Sequence, residues 1–257
     1  PLGPIKLQPS EFAKPCFAVV SAWLLSLWRE EQNFPGWVIS IGCLGVLAGL
    51  LVLQPDIGMT CVIVLTWSLH IFLAGMPLAL VLVLSFVIAP AVAVTAYFTL
   101  PHVQDRVTKY LEGGNMQADN AMRSFSNGGI FGVGPGNGEV KYILPDAHSD
   151  FIFAVAGEEF GIIACIVLAS IYAFVMFRSF LHARHSENLF LIYAVSGLAM
   201  QFGLQALIHM GSSVHLIPTK GMTLPFISYG GSSLFATALT VGFLLALTRR
   251  QVPGRSQ

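Results

Sequence analysis

Long apolar runs separated by short polar breaks organise this chain. They predict helical spans at about 12–28, 36–53, 57–74, 78–100, 150–178, 189–210 and 226–248. Crossing a ~30 Å hydrocarbon core takes ~20 residues of helix, which these runs approach or exceed. The third and fourth spans are parted only by Gly75-Met76-Pro77, whereas a loop of about fifty residues, 101–149, precedes the fifth. The pattern predicts an all-α fold, a polytopic membrane helix bundle formed as one domain over residues 1–257. It has about seven transmembrane helices and one large extracytoplasmic loop.

The fifth span is longer than a bilayer requires. About 29 residues at 1.5 Å each make ~43 Å. Counting back from Arg178 as the inner anchor puts Glu158 and Glu159 near the outer boundary and projects the turn at Asp150 beyond it. An odd number of spans places the two chain ends on opposite faces. Arg29, Arg178, Arg184, Arg249, Arg250 and Arg255 share the face of the C-terminus, against Lys6, Lys14 and Lys220 in the short segments opposite. The positive-inside rule then puts the C-terminus in the cytoplasm and the large loop outside, although Arg106, Lys109, Arg123 and Lys141 in that loop vote the other way.

Composition agrees with a membrane protein: 55% of residues are hydrophobic and 10% charged, where soluble domains carry about 25% charged residues. Thirteen basic residues balance thirteen acidic ones, which leaves no field to steer nucleic acid. Cys16, Cys43, Cys61 and Cys165 lie in apolar runs without metal-ligand spacing and read as packing residues. The chain starts at Pro1 without a signal-peptide pattern, so it reads as an N-terminally truncated fragment.

Candidate chemistry gathers at residues 141–161, KYILPDAHSDFIFAVAGEEFG, where a polar loop runs directly into an apolar helix. Asp150 has two readings. With Ser149 it suits a helix N-cap, and as a carboxylate at a low-dielectric boundary it suits a general base. Asp146, His148 and Asp150 alternate, so an extended loop would aim all three one way, toward a divalent cation such as Mg or Mn. Glycines 132, 134, 136 and 138 allow either turns that fold the loop back or a backbone N–H nest for a pyrophosphate.

Other ionisable groups sit at span ends. Ser10 reads as the cap of the first span, with Glu11 and Lys14 at i,i+3 able to pair on one face. Asp56 opens the third span in the same style. His70 and His209, alone in apolar runs, read as packing residues. The stretch 218–233, PTKGMTLPFISYGGSS, puts irregular backbone at the membrane boundary, which requires a protein or wet-cavity lining. In it Lys220 reads as a phosphate contact or a snorkelling anchor.

In this order, QPSEFAK, QPDIG, GVGPGNG, LPDAHSDFIFAVAGEEFG and PTKGMTLPFISYGGSSL resemble the motifs of the SEDS family (FtsW/RodA/SpoVE) of bacterial cell-wall polymerases. The resemblance covers nearly the whole chain, and leans toward division-type rather than elongation-type members. It implies a ten-span bundle in the cytoplasmic (inner) membrane, of which this chain holds the fourth to tenth spans, with a periplasmic loop. It also implies polymerisation of lipid II into glycan strands beside a class B transpeptidase of the division machinery, with no nucleic-acid partner. The essential aspartate of the family motif H-[TS]-D-F carries over to Asp150. Glu11, Lys14, Asp56, His148, Lys220 and Ser228 fall on motif positions and are expected to meet substrate. Ser149 replaces the commoner Thr, and Pro135 a usual Leu.

The implied mechanism has Asp150 deprotonate the 4-hydroxyl of an acceptor sugar, which displaces undecaprenyl pyrophosphate from the donor with inversion. Lys14, Lys220, an arginine or a divalent cation would balance the leaving charge. Transport of a lipid-linked precursor is the rival class, since broken helices with charges at span ends also suit a flippase.

Overall fold

The computed structural model of the protein describes residues 8–31, 33–54, 56–77, 116–217 and 221–249, with isolated positions 79, 81, 94, 98, 104 and 108. Among the described residues there are seven α-helices and one 3-10 turn, and no strand. The helices are α1 (Pro9–Glu30), α2 (Gly36–Leu53), α3 (Ile57–Leu73), α4 (Met116–Gly128), α5 (Ile152–Arg184), α6 (Leu189–Ser213) and α7 (Gly231–Thr248). The expected span at 78–100 lies almost wholly outside the described residues. Four helices, α2, α5, α6 and α7, are long and apolar enough to cross a membrane, and α3 is a shorter apolar helix.

Helix ends follow local chemistry, with two corrections. Pro9, not Ser10, opens α1, and Ser10 is buried within its first turn. A proline suits that position because its missing N–H would have no helical partner there. Asp56 does cap α3, accepting from the Met59 N–H at 3.0 Å. The last span begins at Gly231 rather than 226, because Phe226 adopts φ 62° and turns the chain before α7 can start.

The central element is α6, packed against α5, α1, α3 and α7. Small residues let the backbones approach: Ala18, Ala22, Ala194, Ala199 and Ala206 are fully buried. In lipid, where the tails are as apolar as the side chains, such close packing replaces the hydrophobic drive between helices. The outward face of α5 instead shows Ile163, Ile166, Val167, Phe174 and Phe177.

His70 is the packing residue that its surroundings predicted. Its Nδ1 lies 2.7 Å from the Ser21 hydroxyl and its Nε2 lies 3.0 Å from the Tyr193 carbonyl. Both ring nitrogens are therefore satisfied in the bundle core. Gly197 makes room for the ring, since a Cβ there would come within 2.0 Å of His70 Nε2. Gly197→Ala is expected to cost about 2–4 kcal/mol, from overpacking and the lost hydrogen bonds. Thermal unfolding in detergent micelles would register this as a lowered midpoint, and an unchanged midpoint would refute it.

The fifth span is not one rod. Gly161 has φ 78° and ψ 179°, which breaks α5 into residues 152–160 and 162–184. The inner piece, about 23 residues, measures ~34 Å and matches a bilayer core, so the excess length foreseen from sequence is removed by this break. Helix α4, in what reads as plain loop, packs Ala121 and Phe125 against the outer piece. The Phe125 and Phe153 ring centroids are 5.9 Å apart, and Gly157 leaves the space that the Phe125 ring fills.

Candidate functional site

Two loops far apart in sequence meet at the end of the bundle where α5 and α7 begin. Residues 146–150 form a tight turn rather than an extended strand: Asp146 takes φ 55°, and its carbonyl accepts from the N–H groups of Ser149 and Asp150 at 3.0 and 2.9 Å. The alternation of Asp146, His148 and Asp150 therefore does not align their side chains on one side. Among the described residues no three His, Cys, Asp or Glu side chains are grouped to hold a metal.

Asp150 is not the helix cap. The capping position of α5 is Phe151, which makes no side-chain cap bond. The Asp150 carboxylate instead lies against Gly221, close enough that a Cβ on that glycine would sit 3.2 Å from Oδ2. The two loops are fastened together beside this contact. The Ser228 hydroxyl donates to the Ser149 carbonyl at 2.6 Å and accepts from the Leu224 N–H at 2.7 Å. The Tyr229 N–H donates to the His148 carbonyl at 2.9 Å. Ser228 thus spends its hydroxyl on backbone at both ends, and His148 contributes its carbonyl to the joint while its side chain stays exposed.

Beneath the loops lies a buried polar layer. Lys14 Nζ is 2.7 Å from Glu11 Oε2 and 2.9 Å from Gln205 Oε1, with both members of the ion pair inside the protein. Partners on two sides offset the desolvation of the ammonium. Gln205 also donates to the Thr223 carbonyl at 3.0 Å and to its hydroxyl at 3.2 Å. Gln201 donates to the Lys14 carbonyl at 2.8 Å, and His209 Nδ1 meets the Met222 carbonyl at 2.7 Å. A small cavity lined by Glu11, Lys14, Gln201, Gln205, Pro225 and Thr237 adjoins this layer.

The sequence reading missed Gln201 and Gln205, and took His209 for a packing residue alone. Their signal was present: they recur every fourth residue in an apolar run, a polar stripe on one helix face. Of the residues read as site candidates, Asp150, His148 and Ser228 come together directly, with Glu11 and Lys14 one layer below. Asp56 stands apart as the cap of α3. Lys220 lies outside the described residues.

The glycine-rich segment has a structural task instead of the pyrophosphate nest considered above. Where α5 breaks, Ile162 and Ile163 lose Glu158 and Glu159 as helical acceptors. Residues 129–134 insert there: Val133 and Gly134 donate to the carbonyls of Glu158 and Glu159, both at 3.0 Å. In return Ile162 donates to Gly129 at 3.0 Å and Ile163 to Ile130 at 3.4 Å. These four groups, two donors and two acceptors freed by the break, all find partners. Backbone runs so close to backbone that side chains at Gly128, Gly132 or Gly161 would collide with it.

Within the segment the Gly132 N–H donates to the Gly128 carbonyl at 2.7 Å and the Asn137 N–H to the Gly134 carbonyl at 3.1 Å. Beside that segment, Lys141 Nζ reaches the Glu159 carboxylate at 2.6 Å. This bond to Glu159 holds the Lys141 ammonium above its ordinary range. Glu158, fully buried, accepts from Asn127 Nδ2 and from the N–H groups of Glu139 and Val140 at 3.1–3.3 Å. The paired glutamates, read as acids near the outer boundary, are structural anchors for the loop.

The protein-family model described as "Cell cycle protein", FTSW_RODA_SPOVE, matches residues 1–252. A probable peptidoglycan glycosyltransferase FtsW of Caulobacter vibrioides (strain NA1000 / CB15N) is 40% identical over 251 residues, 96% of this chain and 64% of that protein. The corresponding FtsW of Coxiella burnetii (strain RSA 493 / Nine Mile phase I) is 38% identical over 96% of this chain and 69% of its own length. The chain thus spans about two thirds of the length of the curated relatives it matches. Among solved structures, one described as "Structural coordination of polymerization and crosslinking by a peptidoglycan synthase complex" is similar with TM-score 0.77 and 29% identity, over 96% of this chain and 71% of that one. The rod shape determining protein RodA of Thermus thermophilus is similar with TM-score 0.67 and 28% identity, over 96% and 67%.

Proposed function

Since this chain belongs to the FtsW/RodA/SpoVE family of cell cycle proteins, we propose that it polymerises lipid II into β-1,4 glycan strands for septal wall synthesis. The observation that carries this reading is the fastening of the HSD loop to residues 221–230, which sets the Asp150 carboxylate against Gly221. Similarity at 38–40% identity to FtsW proteins, against 28% to a RodA, supports the division-type role over the elongation-type one.

Asp150 takes the proton from the 4-hydroxyl of the acceptor N-acetylglucosamine as that oxygen attacks the anomeric carbon of the donor. The C–O bond to undecaprenyl pyrophosphate breaks in the same step, so the α-linked donor becomes a β-linked strand. The leaving group departs as a stable anion and needs no proton. Lys14 is a poor direct partner for it, because Glu11 and Gln205 already occupy its ammonium below the loops. Lys220, next in sequence to Gly221, is the cation this stretch offers. The described residues do not form a cluster suited to Mg or Mn.

The protein lies in the cytoplasmic membrane with the large loop and Asp150 on the periplasmic side and the C-terminus inside, as the arginine distribution supports. Its partner is a class B transpeptidase, a reading supported by the similarity to a synthase complex that couples polymerization and crosslinking. Reconstitution of the intact protein with its transpeptidase and labelled lipid II in vesicles tests the proposal. Lysozyme-sensitive strands with a β linkage are expected. Lipid II crossing the bilayer without strand formation would transfer the assignment to transport, and an α-linked product would eliminate the single displacement.

A further inference from the structure

We propose that Gln205 and His209 are positioning residues for Asp150, acting through the backbone of residues 221–223. The inference rests on the general-base reading above and deepens it. The two side chains sit one turn apart on α6, both buried, and hold two consecutive carbonyls of a non-helical loop. His209 takes Met222 at 2.7 Å and Gln205 takes Thr223 at 3.0 Å. The residue just before this pair is Gly221, which lies against the Asp150 carboxylate.

The same loop is held at its other end. The Thr223 hydroxyl pairs with that of Ser233 at the start of α7. Leu224 binds Ser228, and Ser228 and Tyr229 bind the carbonyls of Ser149 and His148. The path from α6 to the residues before Asp150 is therefore a chain of hydrogen bonds, with the loop as its middle link. Within it Phe226 keeps a left-handed backbone, φ 62°, which a bulky residue adopts only where its surroundings over-determine it. The Tyr172 hydroxyl supplies one such restraint by bonding the Pro225 carbonyl at 2.6 Å.

Polar residues inside membrane bundles often only join helices. Here the acceptors are loop carbonyls, which need a donor at this depth whatever the helices do. A donor that fixes their height also fixes Gly221, and with it the space left to the carboxylate. Gln205 further ties this height to the Glu11–Lys14 pair on α1.

The test compares native protein, Gln205→Met, Ser228→Ala, the double variant and Asp150→Asn in the reconstituted polymerisation assay. Gln205→Met keeps length and loses both donors. We expect its kcat to fall about 10–100-fold, the scale of small misplacements at a reacting centre, with KM for lipid II within twofold of native. The double variant should lose little more than the worse single, because both changes release one loop. Native-like kcat, a raised KM at unchanged kcat, or losses that multiply would each overturn the proposal. If Gln205→Met does not fold, Thr223→Val removes one acceptor of the same side chain and must show the same split. A fully active Asp150→Asn would instead defeat the general-base reading, whereas an inactive Asp150→Asn beside a native-like Gln205→Met defeats only this inference.

Discussion

Asp150→Asn is expected to lower strand formation about 10²–10⁴-fold, the range a positioned general base contributes. The amide keeps the shape of the side chain and an acceptor oxygen, but takes up no proton at neutral pH. Folding should be nearly untouched, because the amide is isosteric with the carboxylate and the capping position of α5 is Phe151. Thermal midpoint and transpeptidase binding are therefore predicted to match native while product disappears. A variant that polymerises within tenfold of native would mean that the proton leaves by another route. One that unfolds would assign the carboxylate to stability.

Gly161→Ala is expected to cost about 3–5 kcal/mol, from two sources that act together. At φ 78° and ψ 179° the backbone occupies a region that only glycine visits freely. The new Cβ would also stand 2.3 Å from the Ile130 carbonyl and 2.5 Å from the Gly132 nitrogen. Something must shift, and what lies in the way is the backbone inserted at the break. Gly136→Ala is the matched control: its φ is 82°, but nothing lies within 4 Å of an added Cβ. It carries backbone strain alone, about 1 kcal/mol. Unfolding midpoints should rank native above Gly136→Ala above Gly161→Ala, and protease cleavage within 129–138 should rise only in the last. Equal losses in both variants would mean that the inserted segment does not hold the break.

The apolar runs predicted α2 to the residue and α3 and α6 within a few residues, because a bilayer-length helix writes itself as local composition. The break in α5 left no such mark. AVAGEEFGIIA scans as continuous helix, and the partner that makes the break affordable lies about thirty residues upstream. The same distance hid the role of the glycines, which read equally as turns or as an anion nest until Glu158 and Glu159 were seen in place. Helix α4 was more legible, since Ala121 and Phe125 repeat at i,i+4, but a polar helix outside the bilayer is easily passed over as loop. At the site, Asp150 and its motif were visible from resemblance. The brace beneath it was half legible: Gln201, Gln205 and His209 mark a polar stripe on one helix face, but its partners are loop carbonyls that no sequence pattern names.

The joint at Gly161 also has a mechanical meaning. A continuous 33-residue helix would carry any tilt of its membrane portion straight to Asp150, amplified by the lever arm of two extra turns. With the helix cut and the cut filled by backbone, the outer piece is clamped to α4 and the last loop, while the inner piece answers to lipid. Bilayers of different thickness should then change the inclination of residues 162–184 without moving the carboxylate, so that turnover stays level across lipid chain lengths that visibly reorient the span.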